Sequence, residues 1–390
     1  MAFILSNLLS SLDSSIGLLD SSSDLLEVLQ ALNVTNSTKG HGKSQKRTYD
    51  TVASLPTATS ALRGSFATVE TVGDWQAPED TDNGLYLCNG SDWTLIQGLD
   101  SAGTPPPFQG SNFGYASGGT TGAAAQNIID KFPFSSDANA TDVGDLTVTK
   151  SDLAGQSSST HGYTSGGSGA SNVIEKFPFS SGGNATDVGD MTSGRYKVGG
   201  QSSTDNGYTH AGGGSPTALY NVIDKFPFSA DANATDVGDL SVGRGGAAGQ
   251  SSTTHGYASG GAPTSNVIDK FPFSSDANAT DVGDLTVGRR DNAGQSSSTH
   301  GYTSGGFSSW FSNVIDKFPF SSDANATDVG DLTVIGSAPA GQSSTASGYR
   351  CGGAYPAINV IDKFSFSADG NASDVGDLTV ARYGVSGQQY

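Results

Sequence analysis

The stretch "DANATDVGD" at Asp276–Asp284 gathers oxygen ligands at close spacing: Asp276, Asn278, Thr280, Asp281 and Asp284. Hard cations such as calcium take several such oxygens from a loop bent by a glycine. The copy at Ser181–Asp190 reads "SGGNATDVGD" and lacks the first acid, and the Asp–Gly spacing is not that of an EF-hand loop. A hairpin turn in which Asp and Asn bond their own backbone accounts for the same residues, so no metal is assigned. "NAT" also reads as an N-glycosylation acceptor in five copies, with "NAS" at Asn371 as a sixth, and turn chemistry is again the expected use. "SSSTHG" and its variant bring serine close to His161, His255 and His300. A serine nucleophile needs one Ser, one His and one Asp assembled once, whereas a motif written through a repeat is scaffold. No catalytic residue and no cofactor is assigned, and the chain is expected not to be an enzyme.

These motifs belong to a larger unit. "NVIDKFPFSSDANATDVGDLTV" stands at Asn266–Val287 and again, letter for letter, at Asn313–Val334; variants begin at Asn127, Asn172, Asn221 and Asn359. Tyr115, Tyr163, Tyr208, Tyr257, Tyr302 and Tyr349 lie in register, at steps of 48, 45, 49, 45 and 47 residues. A period in the forties fits a four-stranded propeller blade or a helical pair. Runs of β-branched and aromatic residues cut by Gly, Pro and Asn reject the helical choice. Four strands follow from the punctuation: "HGYTSGG", "NVIDKFPF", "ATDVGDLTV" and a returning "AGQSSS". Pro in "KFPF" removes a ladder donor and ends its strand or marks a blade edge. Six blades suit a closed ring. The C-terminal "ARYGVSGQQY" has a returning strand with no partner after it, and the first blade has a poor one, so Gly387–Tyr390 or the residues just before are expected to close the ring.

In such a blade alternate connections emerge on opposite faces. The loops from "GG" to "NVID" and from "DLTV" to "AGQ" share one face and vary between copies; "SSDAN" and "SSSTHG" share the other and hardly vary. The varied face carries Tyr220, Phe307, Trp310, Phe311 and Tyr355, together with Arg195, Tyr196, Lys197, Arg289, Arg290, Arg382 and Tyr383. Binding concentrates in loops on a rigid scaffold, and exposed aromatics and Arg suit sugars or proteins. "FSSWFS" at Phe307–Ser312 is the sharpest patch.

Ahead of the repeats, Leu5, Leu9, Leu12, Ile16, Leu19 and Leu26 step by threes and fours or nearly so, as on an amphipathic helix that needs a partner. Residues 1–38 are read as an anchoring or oligomerising segment, 39–50 and 99–107 as linkers, 51–98 as a small β module and 108–390 as the propeller. The module's strands are "FATVE", "GLYLCNG" and "DWTLI". The net charge of −19 argues against phosphate-backbone binding. Two cysteines, Cys88 and Cys351, make neither a disulfide framework nor a zinc pattern. The N-terminus is a poor signal peptide, and no run of about 18 apolar residues suggests a membrane span.

The unit resembles a kelch repeat. "GYTSGG" matches the diglycine strand at Gly118–Gly119, Gly166–Gly167, Gly212–Gly213, Gly260–Gly261, Gly305–Gly306 and Gly352–Gly353. "DKFPF" stands where kelch blades carry "YDP", and "VGDLTVGR" matches the last strand and the basic start of the next blade, as at Arg244 and Arg289. Phe replaces the usual Tyr, and Ala or Ser stands near the usual Trp. The module over 51–98 resembles modules of phage tail-fibre and other virion proteins, and the repeat wording from about Phe108 onward is similar to repeats in virion proteins of marine cyanobacterial phages. The fold expected is all-β, a six-bladed kelch-like β-propeller behind an N-terminal helix and a small β module. The resemblance implies a non-enzymatic virion protein, on a tail fibre or another appendage, that meets other virion proteins through its N-terminal segment, assembles as a homo-oligomer and contacts a host glycan or protein. A cytoplasmic kelch-type scaffold and a glycan-processing enzyme are the alternatives.

Overall fold

β-Branched and aromatic runs bounded by Gly, Asn and Pro favour short strands joined by tight turns, and short strands dominate the chain. The computed structural model describes the backbone of four strands, Thr48–Tyr49, Phe66–Val69, Gly84–Cys88 and Trp93–Gly98, and then residues 109–214 and 218–390 with their side chains. The amphipathic helix expected over 1–38 lies outside the described residues. The chain divides into two compact units, Met1–Gly103 and Thr104–Tyr390. In the first, one sheet uses the three runs read as strands, and Thr48–Tyr49, read as linker, adds a parallel edge.

The second unit is a ring of six four-stranded antiparallel sheets. Blade two shows the plan: inner strand Ala154–Ser157, second strand His161–Ser165, third strand Val173–Pro178 and outer strand Thr186–Asp190. The third strand ends on its proline in five blades, because proline brings no N–H to continue the ladder. Inner strands of successive blades pack side by side around the axis, the last against the first. Ser386–Gln389 supplies the inner strand of blade one and pairs with Phe113–Ser117, as the unpartnered C-terminal strand predicts.

Two glycines of the repeat are demanded by close approach. A Cβ on Gly249 of an inner strand would stand 2.1 Å from the Gly200 carbonyl oxygen of the preceding blade. A Cβ on Gly256, before Tyr257, would stand 2.3 Å from the Phe271 ring. In blade three the expected diglycine at Gly212–Gly213 falls one residue late. Ala211 (φ 60°) and Gly212 (φ 109°) occupy the left-handed positions that Gly166 and Gly167 fill in blade two.

The blades are joined by one set of contacts used repeatedly. Tyr163 stacks on Phe228 of the next blade at 4.9 Å, and the other five tyrosines repeat the pairing, Tyr349 returning to Phe134 at 4.8 Å. Gln250 Nε2 donates to the Tyr302 carbonyl of the next blade (3.0 Å), and Gln388 does the same to Tyr163 across the closure. Asn278 Oδ1 accepts from the Asp239 N–H of the preceding blade at 3.1 Å. This corrects half of the hairpin reading of "DANATDVGD": Asp281 Oδ1 does accept from its own segment, the Gly283 N–H at 3.2 Å, but the Asn side chain holds the neighbouring blade. The first acid of that motif is also used between blades, as in the Lys225–Asp276 pair at 2.5 Å.

Beneath these lies a buried acid–base pair at every seam. Arg195 meets Asp224 (2.5 Å), Arg244 meets Asp269 (3.0 Å), Arg289 meets Asp316 (2.8 Å) and Arg382 meets Asp130 (2.9 Å). Departures from the repeat come in matched pairs. Glu175, the one longer acid, meets Lys150, the one shorter base. Gly336 stands where the arginine is missing, and Arg350 enters that space from the next blade toward Asp362 (3.9 Å). Asp362 Oδ2 then has no hydrogen-bond partner, and burial pushes its carboxyl pKa up. Gly182 replaces the turn acid in blade two, and Lys131 lies instead over the Phe113 ring at 3.8 Å.

A fourth pair carries a prediction. His210 occupies the position of Ser165 and Ser259 and is fully buried; Gly199 makes room for it, since a Cβ there would lie 2.3 Å from the imidazole. Burial, with Arg244 and Arg195 adding repulsion, drives the His210 pKa down to about 3. The folded state therefore binds fewer protons than the unfolded chain between pH 6.5 and 3, and stability falls with pH through that window by at most about 1.4 kcal/mol per unit. Replacing the pair with Gly199→Ala and His210→Ser, as in neighbouring blades, should remove this term. Between pH 7 and 4.5 the wild type should lose roughly 2–3 kcal/mol more than the variant in denaturant titrations; parallel pH profiles would refute the assignment.

Candidate binding face

The antiparallel order of each blade sorts its connections into two faces. Both ends of the ring sequence lie on the face of near-identical turns. There Gln109 Nε2 donates to the Ser296 carbonyl at 3.2 Å, and Gly110 N–H to that of Ser343 at 2.7 Å. Tyr390 exchanges backbone hydrogen bonds with Phe113 on the same side. The varied face carries neither end of the ring.

Around the axis of the varied face runs a closed circle of hydrogen bonds. Asp152, Lys197, Gly246, Asp291, Ala338 and Gly384 each hold a left-handed conformation (φ 52–67°). Each N–H donates to the carbonyl of its counterpart in the preceding blade at 2.7–2.8 Å. Non-glycine residues adopt this conformation at a cost, offset here by the circular bonding. Lys197 and Asp291 form an ion pair at 2.8 Å across the mouth of an axial cavity of about 110 Å³ with walls mostly of Gly and Ala. Burial raises the Asp152 pKa, against the pull of Lys197 and Ser151. Asp152 and Asp291 are not among the expected site residues; only their shared register, two residues before each inner strand, marks them.

Just outside this circle, the varied loops are fixed by their backbones while their side chains point outward to different extents. Arg290 and Phe307 exchange N–H···O bonds of 3.0 and 2.8 Å between blades four and five. The Arg290 guanidinium lies 5.2 Å from the Phe307 ring centroid. Phe307 meets Phe311 edge-on at 5.1 Å, and Phe311 stacks on Tyr355 of blade six at 5.0 Å. Trp310 is 81% exposed and Tyr355 is 71% exposed. Arg290, Phe307, Phe311 and Tyr355, from three separate segments of the chain, thus form one aromatic array with a cation at its end, and exposed Trp310 precedes Phe311 in the same loop.

The remaining expected site residues fall elsewhere. Arg195 and Arg289 are buried in the seams, and so is Arg382, each held by an acid and a backbone carbonyl. Placing Arg195 and Arg289 among exposed contact residues is therefore corrected: a guanidinium one residue from an exposed loop position folds inward because a buried carboxylate of the next blade needs it. Tyr196 is half-buried against Gly213, and Tyr220 lies under Arg195 at 6.0 Å, both at the seam of blades two and three. Tyr383 pairs with Thr120 where blade six meets blade one. Those three tyrosines share the face with the array without joining it.

The motifs considered for chemistry have structural partners. His161, His255 and His300 each place Nδ1 2.8 Å from the preceding threonine hydroxyl, and burial lowers their pKa. The nearby serine caps the turn, as Ser158 Oγ does by accepting from His161 N–H at 3.0 Å. Among the described residues no group of three or more His, Cys, Asp or Glu is placed to hold a metal ion, and no helix among them is long and apolar enough to cross a membrane. No family model matches the chain, and no curated protein matches it.

Proposed function

We propose that this chain is a non-enzymatic binding protein of a phage particle, anchored by its N-terminal segment and presenting the varied face of the propeller to a host surface or a neighbouring virion protein. The observation that carries the binding role is the Arg290–Phe307–Phe311–Tyr355 array with Trp310 beside it. Exposed aromatics on a rigid scaffold are the residues from which binding hot spots are made. Residues 109–113 and Tyr390 lie on the opposite face, so they do not occupy the varied loops. The virion role rests on the resemblance of the repeat wording and of the small β module.

Trp310→Ala and Tyr355→Ala should leave the melting temperature within about 2 °C, because exposed side chains contribute little to stability. Virions carrying either change should adsorb to the cells they infect at least about tenfold more slowly, the scale of losing one hot-spot side chain. Unchanged adsorption would refute the binding role. A propeller that fails to co-purify with particles in fixed copy number would refute the virion role and favour a cellular scaffold.

A further inference from the structure

We infer that the aromatic array is a subsite for a neutral saccharide; this rests on the binding role proposed above and narrows it to one ligand chemistry. The C–H faces of a pyranose ring are apolar and its rim is hydroxylated. A matching site offers flat π-faces with polar groups at their edges. Trp310 and Tyr355 leave most of their surface in water, and Phe311 backs Tyr355 by stacking at 5.0 Å. Polar groups stand at their edges, exposed Ser309 and the Tyr355 hydroxyl, and Arg290 at the Phe307 end of the array keeps 38% of its side chain in solvent. The other exposed large apolar side chains are aliphatic and spread over blades one, three, four and five. Of these only Ile335 lies in the loop between blades five and six, at the seam of Phe311 and Tyr355, so the apolar surface there is narrow.

Backbone geometry points the same way. Tyr355 holds φ 70°, a conformation that a bulky residue adopts only under constraint. Its loop is held by the Ala354 N–H bond to the Ser337 carbonyl at 2.8 Å. Strain of this kind gathers where a side chain must be presented in one orientation. The net charge of −19 sets the sign of the ligand: a polyanion is repelled, and a neutral sugar is not.

The test is affinity electrophoresis of the full chain through gels containing dextran, mannan, galactan or xylan, with alginate as the anionic comparison. At least one neutral polysaccharide should retard the wild type. Trp310→Ala and Tyr355→Ala should each weaken that retardation about tenfold or more, while Trp310→Phe, which keeps a π-face, restores most of it. Retardation by none of the four, or by alginate alone, overturns the saccharide inference. Equal retardation of wild type and Trp310→Ala overturns its location. If none retards the chain while adsorption to cells still depends on Trp310, the saccharide inference falls and the binding role stands; if adsorption is also independent of Trp310, both fall.

Discussion

Deleting Gly384–Tyr390 will lower the melting temperature of the ring by roughly 15 °C or more, on the scale of 2–4 °C per kcal/mol for a domain of this class. The seven residues hold the first blade and the last together. Ser386–Gln389 pairs with Phe113–Ser117, and Gln388 reaches the Tyr163 carbonyl at 3.0 Å. Gly384 is one of the six members of the axial circle, donating to Ala338 and accepting from Asp152. Several hydrogen bonds at about 1 kcal/mol each and buried Val385 at about 1.5–3 kcal/mol sum to the order of 8 kcal/mol. That is a large share of the 5–15 kcal/mol by which domains are stable. The deletion also exposes the edge of Phe113–Ser117 for pairing with another chain, so aggregation should accompany the loss. Thermal unfolding followed by circular dichroism measures the shift, and an unchanged melting curve would sink the closure assignment.

Arg289→Ala should destabilise the ring by about 3–5 kcal/mol, because it leaves the Asp316 carboxylate buried without its cation. Both side chains are essentially inaccessible, and Arg289 also donates to the Thr303 carbonyl at 2.8 Å. Burial lowers the Arg289 pKa, and the neighbouring Asp316 opposes that shift. Asp316→Ala should cost a similar amount for the mirror-image reason, with loss of the bond from Thr286 to Asp316 added. Arg289→Met combined with Asp316→Leu should recover most of the stability, since removing both charges also removes both desolvation penalties. Chemical denaturation of the wild type, Arg289→Met, Asp316→Leu and their combination gives the coupling. Additive single effects, or losses below about 1 kcal/mol, would mean that the pair carries no structural weight.

The seam at Asp362 is the natural comparison. Its cation arrives from Arg350 at 3.9 Å, and the carboxyl pKa is pushed up. The aromatic array runs over the same seam, from Phe311 in blade five to Tyr355 in blade six. The blade junction with the loosest buried ion pair thus carries the most exposed aromatic side chains on the varied face.

Much of the fold was legible in the residues. Six tyrosines in register, the turn residues and the orphan C-terminal strand imply a closed ring of six blades, because each strand is specified by local pattern and turn chemistry. The separation into a constant and a varied face follows from the strand count and the comparison of the six copies, and it places Phe307, Trp310, Phe311 and Tyr355 on the varied face. The direction of individual side chains did not follow. Arg289 and Arg290 are neighbours in sequence; one is buried against Asp316 and the other lies over Phe307 at the surface. A one-residue step in a loop sends successive side chains opposite ways, and only the carboxylate waiting in the next blade decides which arginine goes inward.

The same limit explains the paired departures. Lys150 with Glu175, Gly336 with Arg350 and Gly199 with His210 look like unrelated drift when each copy is read against the consensus. They become compensations once the strands and blades are packed, since volume and charge must balance at each contact, at a seam for the first two pairs and within blade three for Gly199 and His210. By itself the sequence determined the strands, their number, their order within a blade and the place of ring closure, all of which depend on short-range pattern. Which side chains meet across the seams, and which remain in water to meet a ligand, was decided by tertiary structure, because those contacts join residues of different strands and loops, 27 positions apart for Arg289 and Asp316 and 52 for Gln250 and Tyr302, placed by the closed ring and not by their own neighbours in the chain.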